Sequence, residues 1–552
     1  MSGSVTGCSF CSRRKGKRAG ETRNRTGAVQ LSCFMRGRWF NFVVPLCAAV
    51  LVFATPAFGK GRAEHVLLVV WDGMRPDFIR DETTPHLAHL RRAGVFFANN
   101  HCVYPSSTNV NGAAIATGDQ PQHTGIIGNE EFRAAVDAHK PFDTSEFPGL
   151  KQIDPALNAR YMSAPTIAEI LHRAGIWTTI AGAKPVAQLF DRLRERESDA
   201  GKKSSLIYRG KAFPESVAAR TVEVLGPFPP RHGFPNDAQD RWTTRALTEI
   251  LWKEEVPKFS LLWLSEPDLS QHDSAPGSMT ALAALKSSDD NLGRVIAALK
   301  EKNCLTNTDI FVVSDHGFST IDLAVDVAAR LRAAGFDAVR AFADQAPRGQ
   351  VLVVTLGGSV EFYVADHDPG TFSRLVEFLQ RSDFAGVIFT REPRAGTFTF
   401  AQAMIETADA PDLLIACRWK SQPNEFKVPG EIASDIGHTA GQGSHATLSP
   451  FDMHNTLLAS GPDFRRGWTD ATPSGNIDVT PTILFLLGIQ SPHEMDGRVL
   501  SEAFRGGQPA PAAKTRKISA AHERWQQTLR LTTAGHATYF DQSNGGQVGQ
   551  RP

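Results

Sequence analysis

Short apolar runs that stop at acidic or imidazole residues recur along this chain, separated by stretches with helical apolar spacing. HVLLVVW (65–71) runs into Asp72, FSLLWLS (259–265) into Asp268 and His272, and DIFVVS (309–314) into Asp315 and His316. VFFANNH (95–101) and IWTTIAGA (176–183) read as two further strands. Several are apolar on both sides of the alternation, as expected of strands covered on both faces. Alternating with helix-like PTIAEILHRAG and residues 238–254, they specify α/β: a large, mostly parallel central sheet with helices on both faces.

Residues 1–34 are rich in Arg, Lys, Ser and Gly without apolar periodicity, and read as a disordered basic extension or as sequence upstream of a true start at Met35. From Met35, basic residues lead into WFNFVVPLCAAVLVFATPAFG, a signal-peptide pattern over 35–59. The expected location is therefore periplasmic or secreted, with membrane contact for export or through an uncleaved signal. Residues 60–321 are expected to form the first part of the core, 322–437 an inserted smaller α/β cap with its own strand and helix units, and 438–504 the second part of the core. The stretch 185–236 reads as an excursion over the sheet edge, and 505–552 as a C-terminal extension with a helical candidate near 517–531. Of seven cysteines, only Cys102, Cys304 and Cys417 follow the signal, too few for a disulfide scaffold. With 59 basic against 58 acidic side chains, no bulk field attracts nucleic acid.

In open α/β sheets ligands bind beyond the carboxyl ends of strands, where Asp72, Asp268, His272, Asp315 and His316 fall. His445 lies in the Gly-rich loop GQGSHATLSP before another strand, and Thr108 in PSSTNVN after the strand ending near His101. Three Asp and three His without thiolate suit zinc, or less specifically manganese or iron, and suffice for two adjacent ions with open positions. Two such cations meet the demands of phosphoryl transfer. Singly the signals are weak: Asp72-Gly73 equally describes a turn, and His445 a loop histidine.

Taken together, VLLVVWDGMRPD, YPSSTNVNGAAIATGDQPQHTGIIGN, EPDLSQHDSAP, SDHGF and GSHATLSPFDMHNTLLASGPDF resemble, in order, the motifs of the nucleotide pyrophosphatase/phosphodiesterase family of the alkaline phosphatase superfamily. The resemblance covers roughly residues 64–500 and implies an alkaline-phosphatase-like fold. It implies one Zn2+ on Asp268, His272 and His445, and a second on Asp72, Asp315 and His316 with Thr108 as nucleophile. It also places the Asn129 amide on the phosphoryl oxygen, and implies an exported hydrolase of phosphodiester or pyrophosphate bonds acting through phosphothreonine on a small phosphate ester or nucleotide-like substrate. Where relatives have Thr-aromatic-Pro-Asn this chain reads Thr108-Asn109-Val110-Asn111, so a base-stacking aromatic is missing. Thr124 and Ala446 stand where histidine and glycine are usual. Lys184 matches a substrate-binding lysine of phosphomonoesterase relatives, but their arginine two residues on is Val186. A phosphomonoesterase, or a catalytically silent binding module, is the alternative. Cys102-Val-Tyr-Pro105 lacks the spacing and arginine of a sulfatase, and SPFDMH sets the motif register on His445 rather than His438.

Overall fold

The apolar run His65–Trp71 forms the middle of a nine-stranded sheet. The computed structural model describes residues 60–145, 162–192 and 196–549; the basic extension and export segment lie outside the described residues. Across the sheet the strands are Trp468–Asp470, Val95–Phe97, Leu457–Ser460, Thr308–Val313, His65–Trp71, Phe259–Leu264, Thr178–Gly182, Ser205–Tyr208 and Lys211–Phe213. The five strands from Thr308–Val313 to Ser205–Tyr208 run parallel, while Leu457–Ser460 pairs antiparallel to both its neighbours.

Double-sided burial follows from the strand sequences. Val66, Leu68 and Val70 enter one apolar cluster with the helices Thr108–Thr117, Ile167–Arg173 and Val479–Leu487. Leu67, Val69 and Trp71 enter another with Pro85–Ala93 and Met279–Glu301. Each such side chain fully removed from water contributes roughly 1.5–3 kcal/mol, so a one-residue slip that exchanged the faces would be heavily penalised. Local signals set the helix starts: Thr166 and Glu169 form a reciprocal capping box, and Ser278 accepts from Ala281 N–H.

A second sheet of six strands, drawn from Ala338–Val339 through Leu413–Cys417, carries its own apolar cluster with the helix Pro369–Arg381. A four-stranded sheet joins Trp419–Pro423, Pro429–Ser434, Ser319–Ala324 and Gly443–Ser444.

Three sequence expectations are corrected. Residues 517–531 are strand, not helix: Ala513–His522, Trp525–Ala534 and Ala537–Gln547 make an antiparallel three-stranded sheet. The stretch 185–236 supplies Ser205–Tyr208 and Lys211–Phe213 as edge strands of the main sheet instead of merely crossing its edge. VFFANNH divides into Val95–Phe97 in the main sheet and Asn100–His101, which pairs with Ser474–Gly475.

Candidate active site

Register brings the strand ends level. Val70 is paired with Val313 and Trp71 with Leu264, so the residues after each strand emerge along one edge. Asp72 follows directly and Asp315-His316 follow Val313. Asp268 and His272 are one turn apart on the short helix Asp268–Ser274, whose first N–H donates to the Asp72 carbonyl at 3.0 Å. Gly73 makes this approach possible: its φ is +72°, and a Cβ there would lie 3.1 Å from Asp268 Cα. The turn reading and the site reading of Asp72-Gly73 thus describe the same feature.

Two acidic–imidazole groups result. Asp268 Oδ1 lies 3.3 Å from His272 Nε2 and 3.6 Å from His445 Nε2. His316 Nε2 lies 3.3 Å from Asp315 Oδ2 and 3.7 Å from Asp72 Oδ1. The His316 and His445 rings stack at 3.7 Å, which sets the groups side by side. His445 sits directly after the strand Gly443–Ser444 and is separated from the strand Leu457–Ser460 by a short helix, Pro450–Met453.

All three imidazoles are oriented in one way. Nδ1 faces a backbone carbonyl: Gly443 for His272 (3.0 Å), Gly317 for His316 (2.8 Å) and Ser106 for His445 (2.8 Å). A carbonyl only accepts, so each neutral ring carries its proton on Nδ1 and turns an Nε2 lone pair into the site. Facing those lone pairs, Asp72 Oδ1, Asp268 Oδ1 and Asp315 Oδ2 are buried without a hydrogen-bond partner. Lone pairs opposed to lone pairs suit a divalent cation, and imidazoles anchored through their second nitrogen are the usual support for such ligands.

Thr108 opens the buried helix Thr108–Thr117, and its Oγ1 lies 3.3 Å from His316 Nε2. No histidine neighbours Thr108 in sequence; the fold supplies one. Asn129 is tied to the same helix start, its Oδ1 accepting from Asn109 N–H at 2.8 Å. Asn111 holds the preceding loop through the carbonyls of Val103, Pro105 and Ser107 and points to no chemistry of its own. His438 stacks face to face on His272 at 4.5 Å and borders the Asp268 group. Ala446 has φ +80°, a conformation that costs a residue with a Cβ roughly 1–2 kcal/mol.

Lys184 occupies a position that sequence reasoning did not give it. Its ammonium bridges the two groups, 3.0 Å from Asp72 Oδ2 and 2.9 Å from Asp268 Oδ2. Burial opposes that charge, but Asp268, Asp72 and Asp315 hold the lysine well above its ordinary range. Burial raises Asp268 too, yet Lys184 and His272 outweigh it and leave this carboxyl well below the usual value. Asp72 is raised by burial and by Asp315, and burial takes Asp315 up to about 7. Burial lowers His316, and burial with His316 and His272 lowers His445, so both rings favour the neutral form. Trp263 Nε1 donates to Asp72 Oδ2 at 2.8 Å and fixes that carboxylate from the sheet side.

A family model described as type I phosphodiesterase / nucleotide pyrophosphatase matches residues 66–424. A venom phosphodiesterase of Macrovipera lebetinus is 26% identical over 263 residues, covering 46% of this chain and 26% of that protein. Ectonucleotide pyrophosphatase/phosphodiesterase family member 1 of Homo sapiens is 27% identical over 257 residues, 46% of this chain and 23% of that one. The match therefore spans about a quarter of the length of these curated relatives. Among solved structures, murine ectonucleotide pyrophosphatase/phosphodiesterase 5, in an inactive form in complex with AMP, superposes with a TM-score of 0.53 at 17% identity, covering 78% of this chain and 97% of that one. At that identity the likeness shows the fold.

Proposed function

The chain belongs to the type I phosphodiesterase/nucleotide pyrophosphatase family, and on that premise we propose that it is an exported hydrolase of phosphodiester or pyrophosphate bonds acting through Thr108. One observation carries the reading: two Asp/His groups with outward Nε2 lone pairs and unpartnered carboxylate oxygens stand side by side, with a helix-opening threonine against one of them. Asp268, His272 and His445 would hold one divalent cation, and Asp72, Asp315 and His316 a second. The donor chemistry suits zinc. Such a pair would supply Lewis acidity at the attacking hydroxyl and at the leaving oxygen.

The protein's own groups account for the remaining steps. Thr108 Oγ1 forms a bond to phosphorus as the P–O bond to the departing alcohol or nucleotide breaks, the hydroxyl proton ending on that departing oxygen; water then cleaves the bond between threonine and phosphorus, restores the hydroxyl and releases the other half of the substrate as a phosphate monoester. Amide hydrogens at the start of Thr108–Thr117 favour the phosphoryl oxygens. Asn129, its Oδ1 already engaged by Asn109 N–H, would offer its NH2 group to the same oxygens. Val186 is buried in the core where phosphomonoesterase relatives would present an arginine, so the second side-chain cation that a monoester dianion would favour is not supplied there. A nucleotide-like substrate is consistent with the AMP in the murine relative's structure. Export rests on the segment 35–59; among the described residues no helix is long and apolar enough to cross a membrane.

The test is a zinc-loaded kinetic panel of bis(p-nitrophenyl) phosphate, a nucleoside 5′-p-nitrophenyl ester and p-nitrophenyl phosphate, run on the wild type and Thr108→Ala. The diesters are expected to be the better substrates, and chelation to abolish turnover reversibly. Thr108→Ala is expected to lose about three or more orders of magnitude in kcat with metal content unchanged. Retained turnover in Thr108→Ala would exclude it as nucleophile, and chelator-resistant turnover would leave His316, 3.3 Å from the hydroxyl, as a base instead of a ligand.

A further inference from the structure

Away from these two groups, His101, His454 and Asp541 bring three ligand atoms within 4.8 Å of one another. His454 Nε2 lies 2.9 Å from Asp541 Oδ1, and His101 Nε2 lies 4.0 Å from that oxygen. The two imidazoles are 4.4 Å apart, centroid to centroid. For metal–ligand bonds of about 2.0–2.1 Å in a tetrahedral arrangement, donors stand roughly 3.3 Å apart, between the two distances observed.

His101 repeats the device used by His272, His316 and His445. Its Nδ1 faces the Ser474 carbonyl at 2.9 Å, so the neutral ring bears its proton there. The opposite nitrogen, Nε2, is buried without a hydrogen-bond partner and faces the other two ligand atoms; the whole residue is 1% exposed. Asp541 is also presented by a supporting contact: Arg530 Nε takes its Oδ2 at 2.6 Å and leaves Oδ1 toward the histidines. Tyr539 stacks on the outer face of His101 at 5.6 Å.

We propose that His101, His454 and Asp541 form a third, structural zinc site, which joins the C-terminal three-stranded sheet to the catalytic core. Two imidazoles and one carboxylate oxygen match zinc; calcium, which takes six to eight oxygens, is a poor fit. His454 and Asp541 are part-exposed, so water supplies the fourth ligand. In the Asp119, His123 and Asp496 group, by contrast, Asp496 Oδ2 is already shared by Gln120 N–H and His123 Nδ1, and the Asp119 carboxylate by Asp496 N–H and His493 Nε2.

Crystals of the full-length zinc-loaded protein, with anomalous maps on both sides of the zinc edge, test the site without any substitution. A zinc peak between His101 Nε2, His454 Nε2 and Asp541 Oδ1 is expected. Its absence would overturn the proposal and leave a plain His454–Asp541 hydrogen bond. In solution, plasma-mass-spectrometric metal counts are expected to fall by one zinc per chain in His454→Gln and in Asp541→Asn, with hydrolysis of bis(p-nitrophenyl) phosphate within about twofold of wild type. Equal metal counts in wild type and both folded variants would likewise overturn it.

Discussion

With its ammonium 3.0 Å from Asp72 Oδ2 and 2.9 Å from Asp268 Oδ2, Lys184 supplies positive charge to two buried carboxylates at once. Leaving a buried charge uncompensated costs roughly 3–5 kcal/mol, whereas divalent cations held by the same carboxylates would supply that compensation themselves. Lys184→Met should therefore destabilise chelated protein far more than zinc-loaded protein. Thermal melts with and without EDTA measure this: the gap between the two melting temperatures is expected to widen beyond that of the wild type, and an equal gap would deny Lys184 this role. Asp309 presents the opposite electrostatics. Burial and the neighbouring Asp463 push it up to about 9, so between about pH 4 and pH 9 the folded protein keeps a proton that the unfolded chain has lost, and stability falls as pH rises. Asp309→Asn removes that proton linkage. Relative to wild type it should gain roughly 4 kcal/mol between pH 5 and pH 8, read from denaturant melts at the two values; parallel changes in both proteins would refute the assignment. Residues of this kind mark the limit of what sequence discloses. Asp72, Asp268, Asp315 and His316 were legible because each ends an apolar run, but the contact of Lys184 with Asp268 spans 84 positions and leaves no local pattern. His101 was legible only as the end of a strand, because its partners come from remote segments.

The helix Thr108–Thr117 connects packing to chemistry, since Thr108 is its first residue and all ten of its residues are buried. Gly112 lies one turn on, where an added Cβ would come within 2.3 Å of Val186 Cγ2. Helix propensity alone favours Gly112→Ala by about 1 kcal/mol. Overpacking a filled core costs typically 1–3 kcal/mol, and a β-branched valine has little rotamer freedom with which to retreat, so the overlap should win. Gly112→Ala is expected to lower the melting temperature and, by displacing the helix start, to cut kcat at least tenfold while metal content is preserved. A more stable, fully active variant would show that the helix and the segment Pro185–Phe190 separate without cost. Pattern strength explains which elements were readable. His65–Trp71, apolar from Val66 onward, appears as the strand expected. Residues 517–531 contain Ala, Glu, Gln and Leu, good helix formers, but Trp525, Gln527, Leu529 and Leu531 are buried at every second position. That period of two decides for strand, and tertiary packing overrides the local propensity.

At the scale of the whole molecule, the alkaline-phosphatase-like sheet positions the candidate site, while the C-terminal sheet closes over the smaller six-stranded sheet. Trp525 enters the apolar cluster of that smaller sheet and donates from Nε1 to the Gly396 carbonyl at 3.0 Å. Gln527 accepts from Ile388 N–H at 2.8 Å and donates to its carbonyl at 3.1 Å, satisfying both backbone groups. Leu529, Leu531 and Phe540 pack with Val387, Phe389 and Leu414. Together these large side chains account for on the order of 10 kcal/mol of burial, comparable with the roughly 5–15 kcal/mol by which a folded domain outlasts its unfolded chain. Ending the chain at Gly507 would also leave the Ile388 amide and carbonyl without their partners, and would expose the apolar face of the six-stranded sheet as a template for association. Such a truncated protein should be recovered mainly as aggregate or, where soluble, should bind a hydrophobic dye strongly and lack a cooperative melt. The measurement is a dye-binding and calorimetric comparison of full-length and truncated protein at equal concentration. A soluble truncated chain that unfolds cooperatively within a few degrees of the full-length protein would mean that the core and the six-stranded sheet are self-sufficient, and that the C-terminal strands contribute little to the stability of what they cover.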